Sequence, residues 1–255
     1  MKIVTLMENT SCREDLCCEH GLSLYLETGE HRILFDAGQS AAFADNAEKL
    51  GVDLGKVDFA VLSHGHYDHS GGLGKFLEIN ETAPVYVSRW AFEPHYNVSG
   101  KYLGVDLSLQ QKGCIRYVAE ETEPAPGMTL LRLEAAPTDT AGLLVEENGE
   151  RKPDDFRHEQ YLLVEEEGKR ILISGCSHKG ILQIVDAFRP DILIGGFHFM
   201  KIEEAEKLET AANKLLSYDT VYYTGHCTGQ KQYDYLKTIM GDRLHHISAG
   251  TVLEI

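Results

Sequence analysis

Short apolar runs rich in β-branched residues recur from one end of the chain to the other, and helical spacing shows only between some of them. The opening runs Lys2–Leu6, Leu22–Leu26 and Arg32–Phe35 read as strands, with Thr28, Gly29 and Glu30 turning the chain between the second and third. Ala42, Phe43, Ala47 and Leu50 then fall at helical spacing, and Gly51 stands where a helix C-terminus favours glycine. The continuous run Phe59–Ser63 suits a buried central strand and leads straight into His64. From about 90 to 127 the rhythm breaks at Pro94, Gly100, Gly104, Gly113, Pro124, Pro126 and Gly127, which predicts an excursion of loops covering a substrate site. Strand rhythm returns at Leu130–Leu133, Leu143–Val145, Tyr161–Val164, Arg170–Ile173, Ile192–Ile194, Val221–Tyr223, Leu244–Ile247 and Thr251–Leu253. Helices are expected over Gly180–Phe188 and Glu203–Leu216. The pattern predicts an α/β chain, a single domain over 1–255 of two packed sheets with helices outside.

Composition narrows the function classes. With 40 acidic against 24 basic residues the formal charge is -16, so phosphate backbones and anionic lipid headgroups are repelled at long range. A small molecule is the expected partner, with no nucleic acid and no membrane; oligomeric state is left open. The N-terminus turns polar after a few apolar residues, unlike a signal peptide, and no apolar stretch is long enough to span a bilayer. A cytoplasmic location is expected, in which Cys12, Cys17, Cys18, Cys114, Cys176 and Cys227 are reduced thiols or metal ligands. The grouping of Cys12, Cys17 and Cys18 lacks a second Cys or His pair nearby, so idle thiols are its simplest reading.

His64-Gly65-His66-Tyr67-Asp68-His69 carries the chemistry. Imidazoles and a carboxylate are the donors that suit zinc, iron or manganese, and six residues at a strand end can bring four of them into one small volume. His64 and His66, two apart in extended chain, project to the same side, while Asp68 and His69 follow where the chain bends. Gly65 leaves room for that bend, and Gly71-Gly72 lets the following helix pack close behind it.

Further ligands are expected from other strand ends, since a catalytic metal keeps several protein donors and an open position. Three apolar strands run through glycine to histidine: Ile171–Ile173 to Cys176 and His178, Ile192–Ile194 to His198, and Val221–Tyr223 to His226 and Cys227. A parallel sheet gathers such ends on one edge. Asp36, just after Ile33–Phe35, is a fourth polar strand-end residue, better suited to orienting a ligating imidazole than to ligation itself.

These motifs, in this order, resemble the metallo-β-lactamase superfamily of metal-dependent hydrolases over nearly the whole chain. The phrases Ser174–His178, Gly195–His198 and Gly225–Gly229 are similar to a cytoplasmic branch named for pterin ribofuranosylaminobenzene phosphate synthase. The resemblance implies a four-layer αββα sandwich and one or two transition metals, zinc first, with iron or manganese as alternatives. It implies that His64, His66 and His178 hold one metal and that Asp68, His69 and His226 hold the other. His198 is left for substrate, so that Asp68 and His198 are the catalytic pair. Cys176 departs from the pattern: many members carry there an Asp that bridges the metals, which leaves open whether Cys176 ligates.

The implied reaction is attack of a metal-bound hydroxide on an ester, lactone, thioester or phosphoester of a small, phosphorylated or pterin-like molecule. A sensor that binds without turnover and a di-iron redox protein are the alternatives the same ligands allow. Arg89, Lys101 and Lys179 are the cations to expect near an anionic substrate. His20, His31, His245 and His246 read as ordinary surface or packing residues, and so do His95 and His158, for which the edge of the pocket is the alternative.

Overall fold

The apolar runs pair into two separate seven-stranded sheets. The computed structural model describes residues 1–140 and 142–255. They divide into two compact units, one of Met1–Ala119, Thr140–Gln160 and Ser248–Ile255, the other of Glu120–Asp139 and Tyr161–Ile247.

In the first unit Lys2–Met7, Ser23–Glu27 and Arg32–Phe35 form the antiparallel meander. Phe59–Val61, Val85–Ser88 and Ile115–Val118 then continue the sheet in parallel, and Val252–Glu254 pairs antiparallel with its first strand. Parallel neighbours need a crossover, which the helices Ala42–Lys49 and Leu73–Ile79 supply. Phe43 and Phe76 from these helices join Leu34, Leu62 and Val85 in one buried cluster. Gly51, with φ 73°, takes the left-handed turn that ends the first helix. Because Arg32–Phe35 and Phe59–Val61 run parallel, their C-terminal ends lie side by side and place Asp36 next to Ser63 and His64.

The segment 90–127 is more ordered than its glycines and prolines suggest. It holds the strand His95–Asn97, a 3-10 turn at Leu107–Gln111, the sheet strand Ile115–Val118 and the strand Thr122–Ala125. His95–Asn97 pairs with Leu143–Glu147, which pairs in turn with Glu150–Pro153, as a small three-stranded sheet of the first unit. Each piece is three to five residues long, too short to show a period between its breakers.

The second unit orders its sheet as Leu244–His246, Val221–Thr224, Ile192–Ile194, Lys169–Ile173, Tyr161–Glu166, Met128–Leu131 and Thr122–Ala125. The first four strands are parallel and the others antiparallel. Helices Ile181–Phe188, Ala205–Leu216 and Gln230–Met240 supply Ile184, Leu208, Leu215 and Leu236 to a core with Leu193 and Tyr222. The Tyr222 hydroxyl donates to the Leu215 carbonyl at 3.0 Å, and burial pushes its pKa up to about 12. The unfolded chain releases this proton near pH 10 and the folded chain does not, so stability is expected to fall as pH rises through that window. Urea unfolding across the window should show a shallower fall for Tyr222→Phe than for the wild type.

Candidate metal centre

In the first unit the site is built around the carboxylate of Asp36, which is fully buried. Its Oδ1 accepts from the Ser63 backbone N–H at 2.7 Å, and its Oδ2 accepts from the Ser63 hydroxyl at 2.6 Å and from His69 Nδ1 at 2.6 Å. Ser63 has one hydroxyl proton and gives it to Asp36, so the 2.8 Å bond between Ser63 Oγ and His64 Nδ1 has the imidazole as donor. Both His64 and His69 are thereby fixed as Nδ1–H tautomers, with the Nε2 lone pair as the ligating atom. Asp36 holds this position with φ 58°, a left-handed conformation that Asp tolerates better than most residues.

Asp68 follows on the short helical turn Tyr67–Ser70 and is 8% exposed. Its Oδ2 lies 3.6 Å from His69 Nε2 and 3.4 Å from His20 Nε2. His20, which the sequence suggests is an ordinary surface residue, thus stands beside the carboxylate. The turn is held from behind: a side chain at Gly65 would put its Cβ 2.3 Å from the Ala91 carbonyl oxygen, and one at Gly72 would come 2.1 Å from that of Ala37.

His66 is buried, and its pKa lies well below the ordinary value, first through burial and then through the neighbouring His158 and His95. It is therefore neutral at physiological pH, the form that ligates. Its companions form a cluster that local sequence patterns do not show. His66, His95, Asp154 and His158 are all buried, with potential ligand atoms within 4.8 Å of one another. Asp154 Oδ1 accepts from the Phe156 N–H at 2.8 Å, and Oδ2 accepts from His95 Nδ1 at 2.9 Å and His158 Nε2 at 3.2 Å. Burial raises the Asp154 pKa, but the two imidazoles outweigh it and hold the carboxyl far below its usual range. His158 Nδ1 accepts the Gly65 N–H at 2.8 Å, so its Nε2 carries the proton given to Asp154. Burial, followed by His95, pushes His158 down to about 4. His95 Nε2 is left buried with no hydrogen-bond partner among the described residues. Asp154 and His158 thus anchor the backbone of the histidine turn.

In the second unit the three strand ends lie on one sheet edge because Lys169–Ile173, Ile192–Ile194 and Val221–Thr224 are parallel neighbours. Hydrogen bonds tie the loops together: Gly196 N–H to Gly175 O at 2.8 Å, Phe197 N–H to Thr228 Oγ1 at 2.9 Å, and Thr224 Oγ1 to Gly195 O at 2.8 Å. Cys176, His178, His226 and Cys227 are buried and His198 is half-buried, its ring centroid 4.4 Å from that of His178. Cys227 is hydrogen-bonded to the side chains of Cys176 and His198. Burial raises its pKa, but these bonds and the adjacent imidazoles outweigh that and hold the thiol well below its usual value.

Of the expected substrate cations, Arg89 is exposed over the Trp90 ring and Lys101 over the Tyr67 ring. Lys179 is buried, with Nζ donating to the Ala135 carbonyl at 2.7 Å. All six cysteines are free thiols. Among the described residues no helix is long and apolar enough to cross a membrane.

Residues 18–226 match the family model described as the metallo-beta-lactamase superfamily. The 7,8-dihydropterin-6-methyl-4-(beta-D-ribofuranosyl)-aminobenzene-5'-phosphate synthase of Methanocaldococcus jannaschii is 29% identical over 100% of this chain and 96% of its own. Among solved structures, Tm1679, described as a metal-dependent hydrolase of the beta-lactamase superfamily, is 30% identical with a TM-score of 0.86, covering 100% of this chain and 99% of that one. Zinc-bound PqqB from Methylobacterium extorquens shares the fold at 14% identity, with a TM-score of 0.64 and full coverage of both chains. The α/β fold class expected from the sequence is the one these comparisons show.

Proposed function

Because the chain belongs to the metallo-β-lactamase superfamily and is an enzyme of that superfamily, we propose that it hydrolyses an ester, lactone, thioester or phosphoester of a small molecule with the help of one or two transition metals. The observation that carries this reading is the Asp36–Ser63 network, which commits two buried imidazoles to the ligating tautomer. A protein that used His64 and His69 only as polar packing would have no need to hold both in the same protonation state. The donor set fits a metal: His64, His66 and His69 are buried imidazoles, and Asp68 is a nearly buried carboxylate among them. Zinc suits these donors best, with iron or manganese as alternatives. The further ligands drawn from the resemblance, His178 and His226, are part of this proposal on sequence grounds.

A bound transition metal supplies Lewis acidity and makes water a stronger acid. The chain's own residues do the positioning. Asp36 and Ser63 keep His64 and His69 from rotating, and His158 and Asp154 hold the Gly65 peptide in place. Asp68 accepts a hydrogen bond from the attacking water and takes its proton, a role its position within the imidazole cluster allows. On sequence grounds alone, the segment 90–127 and the cations Arg89, Lys101 and Lys179 are part of this proposal as determinants of the substrate. A phosphorylated or pterin-like molecule suits those cations and the name of the Methanocaldococcus jannaschii relative. The free thiols suit a reducing cytoplasm.

The test is a panel of ester, lactone, thioester and phosphoester substrates assayed with protein as purified, after chelation, and after metal return. Turnover of one class that chelation abolishes and metal restores is the expected result. Metal binding without turnover of any class would make the protein a sensor and contradict the proposal.

A further inference from the structure

The sheet edge of the second unit carries donors of a different chemical character from those of the histidine turn. We propose that Cys176, His198 and Cys227 form a site of two thiolates and one imidazole for a soft divalent ion, zinc or ferrous iron, within that unit. Cys176 and Cys227 are donors that the proposed function leaves without a role, so the site goes beyond that reading. It assigns His198 to a metal rather than to substrate, and it gives Cys227 a role that its sequence context does not suggest.

The ligand atoms of the three residues lie within 4.8 Å of one another. Bond lengths of about 2.3 Å to sulfur and about 2.0–2.1 Å to nitrogen in a tetrahedral zinc site put donors about 3.5–3.8 Å apart, about 1 Å inside this limit. Small side-chain rotations close the set onto an ion. Thiolates select zinc and ferrous iron over magnesium or calcium, so the donors themselves name the class of ligand.

The backbone is shaped to bring the sulfurs together. A Cβ built at Gly196 would sit 2.3 Å from Cys227 Sγ, so only glycine admits the thiol at that place. Ser177, His198 and His226, at or beside the three donors, all have non-glycine left-handed backbones, with φ of 58°, 57° and 50°. Such conformations cost free energy and persist where the surroundings over-determine them, typically at ligand clamps. The loop-to-loop hydrogen bonds from Gly196 and Phe197 supply that restraint. Cys176 and Cys227 are 3% and 2% exposed, while His198 is half-buried and leaves a side from which an ion and a fourth ligand can enter.

Cobalt is the probe, because thiolate bound to Co(II) gives a near-ultraviolet charge-transfer band that imidazole and carboxylate ligands do not. Metal-free full-length protein titrated with Co(II) is expected to show this band, and Cys227→Ser to lose about half of it or more. Gly196→Ala, whose methyl displaces the Cys227 sulfur, is expected to lose a similar share, and His64→Ala to keep the band. An undiminished band in Cys227→Ser, with loss only in Cys176→Ser, would place Cys176 in another site and overturn the inference. X-ray absorption of the zinc-loaded wild type needs no variant, and absence of sulfur scatterers at about 2.3 Å would overturn it equally. The two readings fail separately: cobalt bound without the band contradicts this site alone, and the band without any hydrolysis contradicts the proposed function alone.

Discussion

Asp36→Asn is expected to weaken metal binding by about 10–100-fold, the usual consequence of losing a carboxylate that orients a ligating histidine. The carboxylate accepts three hydrogen bonds, from the Ser63 N–H, the Ser63 hydroxyl and His69 Nδ1. An amide has one oxygen, so at least one of these donors then faces an NH2 group. If the hydroxyl of Ser63 turns, His64 loses the acceptor that fixes its tautomer; if His69 changes tautomer, its Nε2 lone pair is lost. Asn tolerates the left-handed backbone at this position as well as Asp does, so the substitution isolates the hydrogen bonding. Leaving a buried donor unsatisfied should also cost about 1–3 kcal/mol of stability. Competition against a chelating dye and urea unfolding measure the two effects. Unchanged affinity would mean that the network is packing and nothing more.

Asp68→Asn is expected to lower turnover by at least roughly 10²-fold, the scale of losing a positioned acid-base group. Asp68 is the carboxylate within the histidine turn, with His69 Nε2 at 3.6 Å and His20 Nε2 at 3.4 Å. The amide keeps the size but can neither take a proton nor hold a cation as strongly, so metal content should fall along with rate. The fold should survive, because the backbone carbonyl of Asp68 still accepts the Leu22 N–H at 3.3 Å. Rate and metal content measured on the same samples check this, and full activity in the variant would remove Asp68 from the mechanism.

What could be read in the sequence was local. The runs Ile33–Phe35, Phe59–Val61 and Ile192–Ile194 are fully apolar because their residues are buried, and glycine follows wherever the chain must turn into the site. The helix Gln230–Met240 is hard to see because only Gln232, Leu236 and Met240 are buried, too few apolar positions for a clear stripe. Glu150–Pro153 is exposed throughout and carries no hydrophobic alternation. The histidine turn is legible because six consecutive residues supply its donors. His95 and Asp154 are 59 positions apart and Cys176 and Cys227 are 51 apart, so no spacing rule joins either pair. Asp154 and His158, four apart, are the one local hint of the network behind Gly65, and such a pair in a loop is common without meaning.

Metal bound by the buried imidazoles and carboxylate of the first unit is expected to be required for hydrolysis. Stepwise return of zinc, ferrous iron or manganese to metal-free protein, with bound metal and initial rate read from each sample, tests it most directly. Hydrolysis is expected to be absent in the metal-free protein, to rise in proportion to the metal bound, and to fail to return in His64→Ala or His69→Ala. Hydrolysis undiminished by complete metal removal, or full restoration in both histidine variants, would contradict it.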